Sequence, residues 1–201
     1  MENMLANTLA LKNLNFNNLY FSKSILMTGL VNTSSYVERY LTINFQNIEA
    51  PNAITLEGLF ATNCSYRLKN AFFKNINIPK VRSLSKMFYY AQSFNANISF
   101  ENIYAPSVEI MEYMFESNNS QYSYITFKNI NFSKLETVNN MLSNSDLQSF
   151  FFINVDASKI QSLEEMFSNK NLQNIKFENV DISSVITVKN MFFKRSEWNV
   201  Y

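Results

Sequence analysis

Residues 125–142, ITFKNINFSKLETVNNML, come back 25 positions later as FFFINVDASKIQSLEEMF and again as IKFENVDISSVITVKNMF. A chain that repeats a pattern while changing most of its letters must build one supersecondary unit many times. Such units bury their apolar faces only by stacking. The phenylalanine of each strand-like segment serves as an anchor: Phe16, Phe45, Phe73, Phe100, Phe127, Phe152 and Phe177. Two residues after each anchor stands an amide, in Asn18, Asn47, Asn75, Asn102, Asn129, Asn154 and Asn179. An aliphatic residue follows it, and the sixth position after the anchor is Ser or Pro.

Each copy changes period in its middle. ITFKN alternates, with Ile125 and Phe127 on one face and Thr126 and Lys128 on the other, which predicts a strand. Leu135, Val138, Met141 and Leu142 then recur at intervals that predict one face of a short helix. Ser133 with Glu136, and Ser158 with Gln161, fit a helix capping box, and Pro51, Pro79 and Pro106 fit a first helical turn. The expected unit is strand, turn, short helix, loop. The expected fold is an α/β repeat solenoid with a parallel sheet on one face and short helices on the other, in about seven repeats of 25–29 residues. Residues 1–10 are expected as an N-terminal cap, 11–193 as the solenoid and 194–201 as a short tail.

Strand parity turns the asparagine column inward. An unpaired buried amide is costly, so the column is expected to be a buried structural ladder bonding coil to coil. Anchor spacings run 29, 28, 27, 27, 25 and 25, and the variation falls in the loop after the stripe. One edge of the solenoid is therefore free to vary.

Composition excludes several functions. Histidine is absent, Cys64 is the lone cysteine and glycine occurs twice, at Gly29 and Gly58. That leaves no usual general base, no thiolate metal cluster and no phosphate-cradling loop. The expectation is no enzyme, no cofactor and no metal. Net charge is +1 with no basic stripe, which disfavours nucleic acid. No apolar run is long enough for a membrane span, and the first residues do not read as a signal peptide. Sequons at Asn32, Asn63, Asn97, Asn118 and Asn131 are what about thirty asparagines among many serines give by chance.

The run F-x-N-I-x-x-S-K-V/L-x-x-V/L-x-x-M-F resembles the BspA-like leucine-rich repeat of bacterial, mycoplasma-type and protozoan surface proteins. Asn129, Ser133, Leu135, Val138 and Met141 carry the match, with the Met-Phe pairs at Met87–Phe88, Met114–Phe115, Met166–Phe167 and Met191–Phe192. The chain departs from that repeat where Asp is usual, keeping it only at Asp156 and Asp181, and in its near lack of glycine and cysteine. The resemblance implies a leucine-rich-repeat-like right-handed coil. It also implies an interaction scaffold at a cell surface, used for adhesion or contact, and no reaction.

Protein partners are therefore expected, and two groups of residues are candidates to meet them. Outward strand positions are mostly polar, but Phe72, Phe151 and Ile153 are apolar. Tyr36, Tyr40, Tyr66, Tyr89, Tyr90, Tyr122 and Tyr124 cluster near the variable edge, where tyrosine suits a recognition rim. The alternative is a structural subunit stacking through its C-terminal coil, with Trp198 and Tyr201 as candidate end-to-end contacts.

Overall fold

Each anchor phenylalanine lies in a strand whose alternate side chains face a common interior. The computed structural model describes residues 11–23, 39–61, 66–117, 120–168 and 171–193. Seven strands run through them: β1 (Asn13–Tyr20), β2 (Arg39–Glu49), β3 (Tyr66–Asn77), β4 (Ser93–Tyr104), β5 (Gln121–Asn131), β6 (Asp146–Asp156) and β7 (Asn174–Glu178). They form one sheet in chain order, every neighbouring pair parallel and anchor opposite anchor from Phe16↔Phe45 to Phe152↔Phe177.

The expected helices do not form. Among the described residues there is no helix, and the molecule is a parallel β-solenoid, not an α/β one. The apolar stripe has another cause. Val138, Asn140, Leu142 and Asn144 donate their N–H groups to Ser162, Glu164, Met166 and Ser168 on the next coil, at 3.5, 3.0, 3.1 and 3.1 Å. The intervening Met141, Ser143 and Ser145 donate three residues back, to Val138, Asn140 and Leu142 at 3.2, 3.1 and 3.4 Å. The coil two before it alternates likewise: Lys86 and Phe88 bond forward, to Glu112 and Met114, while Met87 and Tyr89 close turns. An interval of three thus marks successive β-turns, which imitate a helical stripe over so few residues. A narrow second ladder of parallel bridges, Thr55↔Ser83↔Ile110↔Thr137↔Ser162↔Thr187, runs along this side.

The backbone enforces this choice. Gly58, Lys86, Tyr113, Asn140, Glu165 and Asn190, one per coil, have φ between 51 and 62°. A turn with a left-handed third residue needs that value, and an α-helix cannot contain it. The capping-box reading falls too. Ser133 follows Phe132 in a turn closed by Leu135 N–H on Phe132 O at 2.9 Å, and its own N–H is held by Asn131 Oδ1 at 3.2 Å. Pro79 and Pro106 occupy the same second turn position, where their fixed φ is an asset.

Two phenylalanine columns fill the interior. Rings of Phe45, Phe73, Phe100 and Phe127 stack with centroids 5.5, 4.7 and 4.7 Å apart. Phe60, Phe88 and Phe115, from the second side, stack at 5.2 and 5.3 Å. The columns meet edge to face, as Phe73 and Phe88 do at 6.0 Å and 74°. From β6 the stacking changes. Phe150 stands where Ala71, Ile98 and Ile125 stand in other coils, and Phe152 turns edge-on to Phe127 at 74°.

The amide column forms a ladder, but it is not buried. Asn47, Asn75, Asn102, Asn129, Asn154 and Asn179 each donate Nδ2–H to the Oδ1 of the preceding rung, Asn18 to Asn154, at 2.8, 2.8, 2.9, 3.0, 2.9 and 2.8 Å. All seven are solvent-exposed. Simple parity misplaces them because each has φ between 52 and 55°, and this left-handed residue breaks the alternation. Two successive residues then face out and the aliphatic one after them faces in, as Lys128, Asn129 and Ile130 do. Asparagine tolerates this conformation better than other non-glycine residues.

Asn102 separates the two roles of the column. Asn102→Gly keeps the conformation and removes both rungs, with an expected loss of about 1 kcal/mol. Asn102→Ala also strains the backbone, for a loss of about 2–3 kcal/mol. Chemical denaturation of both variants checks the order; equal losses would mean that the left-handed conformation carries no cost.

Candidate functional site

The strands set which side chains face out. Register places Phe72, Ser99, Thr126 and Phe151 opposite one another on β3 to β6. Three strand spacings of ~4.8 Å put the two aromatic positions about 14 Å apart. Small hydroxyl side chains lie between them, so the row is a shallow trough with an aromatic wall at each end. Both rings are half-buried, as is Ile153. Ile153 belongs to the next outward row, Lys74, Glu101, Lys128, Ile153 and Glu178. In that row Lys74 Nζ lies 3.3 Å from Glu101, and Lys176 pairs with Glu178 beside it. Such exposed pairs add little stability, but they keep this face close to neutral. The exposed amide ladder adjoins the row on its other side.

The tyrosine group scatters. Tyr40 and Tyr90 are exposed, Tyr89 and Tyr124 half-buried. Rings of Tyr89 and Tyr90 sit 4.2 Å apart, with Lys86 Nζ 5.8 Å from the Tyr89 centroid. Tyr122 does not belong to any rim: it is buried against Phe115, centroids 5.9 Å apart. It follows the buried Ser120 at the start of β5. Tyr36, Trp198, Tyr201 and the side chain of Tyr66 lie outside the described residues. Aromatics that the pattern did not single out are also exposed: Tyr20, Phe94 and Tyr104. Tyr20 and Tyr104 share the row that ends each strand, two places after the asparagine, a position readable from the repeat. Phe94 had no such signal. Asn95, at φ 49°, bends the start of β4 and turns that side chain out.

Little here is electrostatically tuned. Burial pushes the Tyr122 phenol up to about 12, against the pull of Ser120 and Ser93 beside it. A hydrogen bond with Tyr90, with some burial, raises Tyr89. Hydrogen bonds from Ser183 hold the exposed Asp181 below the usual carboxylate range. Among the described residues no three acidic, cysteine or histidine side chains gather as a metal site. No helix is long and apolar enough to cross a membrane among those residues either.

Coils stacked anchor on anchor, a continuous parallel sheet and an exposed amide ladder define a β-solenoid repeat protein. Residues 27–152 and 150–200 match the model of a family described as "Mycoplasma protein of unknown function, DUF285", and the chain belongs to that family. No curated protein and no solved structure matches it.

Tyr122 gives the fold an alkaline limit. Unfolded, its phenol releases the proton near 10; folded, it holds the proton to about 12. The stability this group contributes is complete below pH 10 and is lost as pH rises to 12. Tyr122→Phe keeps the ring and removes the titration. The stability of that variant is expected to fall with pH between these values less than wild type's does, by about 1–3 kcal/mol across the window. Parallel pH profiles would refute the assignment.

Proposed function

We propose that the chain is a non-catalytic scaffold for protein–protein recognition, and that it uses the outward face of its sheet. The observation that carries the reading is the Phe72–Ser99–Thr126–Phe151 row, the aromatic break in an otherwise polar face. Rings held by a rigid sheet lose little entropy on binding, and exposed amides alongside offer hydrogen bonds without the desolvation cost of charge. The BspA-like resemblance supports the same reading and adds a role at a cell surface, in adhesion or contact. A partner of mixed apolar and polar surface suits this face better than a polyanion.

A second reading is favoured by the last coil. Val188 and Phe192 are 55% and 61% exposed, whereas Val138, Leu163, Leu142 and Phe167 at the same positions in coils 5 and 6 are at most 3% exposed. That end has the chemistry of a coil-to-coil interface and supports a structural subunit that stacks through it.

Cross-linking on native cells, followed by mass spectrometry of what copurifies, tests the first reading. Phe72→Ser with Phe151→Ser is expected to abolish capture of the partner, while thermal unfolding moves by only a few degrees. Undiminished capture by the double variant would remove the sheet face from consideration. Loss of capture with Tyr40→Ser and Tyr90→Ser instead would assign binding to the variable edge.

A further inference from the structure

We propose that the C-terminal face of the solenoid docks the first coil of a second copy, head to tail, with β7 of one chain in parallel register with β1 of the next. The inference rests on the stacking reading and specifies its partner and direction.

Three observations carry it. The first is the sheet. Among the described residues it is parallel throughout, and β1 and β7 are its two edges. Repeating the internal coil-to-coil step once more brings another strand in the β1 orientation against β7, and no other orientation continues the ladder. Anchor pairing then sets Phe16 against Phe177, Asn15 against Lys176 and Leu14 against Ile175, as Phe152, Phe151 and Phe150 pair with β7 inside the chain. Phe16 and Phe177 are both half-buried, and among the described residues each has a ring partner from a neighbouring coil on one side alone.

The second is the polarity of the amide ladder. Each of the five inner rungs donates Nδ2–H toward the N-terminal coil and accepts on Oδ1 from the C-terminal one. Among the described residues, Asn18 is left with its amide N–H undonated and Asn179 with its carbonyl oxygen unfilled. The two ends are thus a donor and an acceptor. They complement each other in a head-to-tail contact and mismatch in a head-to-head or tail-to-tail one.

The third is the chemistry of the end itself. Ile175, Ile182, Val188 and Phe192 are exposed, and in coils 5 and 6 the residues at all four positions are buried. Asn15 and Asn17 on β1 set no like charge against Lys176 and Glu178. A head-to-tail contact of this kind does not close, so the product is an open filament that lengthens with concentration.

The test uses the full chain with Cys64→Ser, so that engineered thiols are the only ones. Asn15→Cys with Lys176→Cys puts two cysteines on neighbouring strands at a separation that a disulfide can bridge. Under mild oxidation this pair is expected to give a ladder of multimers, and each single substitution at most a dimer. Asn15→Cys with Asn174→Cys, offset by two residues along the strand, is expected to cross-link about tenfold less. Sedimentation of the Cys64→Ser chain is expected to show mass rising with concentration, and Val188→Glu to return it to one chain. A mass of one chain at every concentration would defeat this proposal and the stacking reading together. Assembly that Val188→Glu abolishes, but that never cross-links through positions 15 and 176, would leave stacking standing and overturn the head-to-tail register. Assembly that begins only once residues 194–201 are deleted would also overturn it, because the chain would then cover its own end.

Discussion

One coil sits on the next through backbone hydrogen bonds spaced by a single strand repeat, and that step governs everything else. On the sheet side it aligns anchor with anchor from Phe16 to Phe177. On the turn side it takes alternate N–H groups, such as those of Val138, Asn140 and Leu142, and leaves the others to close turns. Because both sides advance by the same increment, side chains at equal positions come to lie directly above one another. The phenylalanine stacks and the amide ladder are consequences of this translation, and they survive coil lengths that run from 29 down to 25 residues.

Much of the architecture was legible from residues. The anchors and their register, the phenylalanine stack and the pairing of asparagine with asparagine are all written in the spacing. Two readings failed for one physical reason. Patterns of three and of two assume right-handed or extended backbone throughout, and this chain interrupts both with left-handed residues. At Asn129 the interruption turns an amide outward that alternation places inside. At Lys86, Tyr113 and Glu165 it makes turns where the stripe predicts helix, and nothing about those residue types announces a positive φ. Glycine, the usual marker of such positions, stands at Gly58 but at none of the other five turn positions.

The candidate site was less legible than the fold. Phe72, Phe151 and Ile153 followed from alternation, since they lie before the interruption, and they do share one face. The tyrosines were assigned by proximity in sequence to a variable edge, a criterion that says nothing about depth. Tyr122 shows the cost: it lies three residues before Ile125, in a strand already committed to the interior. Family membership adds a lineage without adding a chemistry, so the sheet face rests on its own geometry.

Among the seven strands, each touches only the one before and the one after. A whole coil is therefore an interchangeable module. Joining the backbone after Asn102 to the residue that follows Asn129 would delete one module and leave a seam chemically like the rest. Unequal recombination within such a gene can lengthen or shorten the protein in steps of one coil. A lineage with this fold can vary how far its sheet face extends without inventing a new interior.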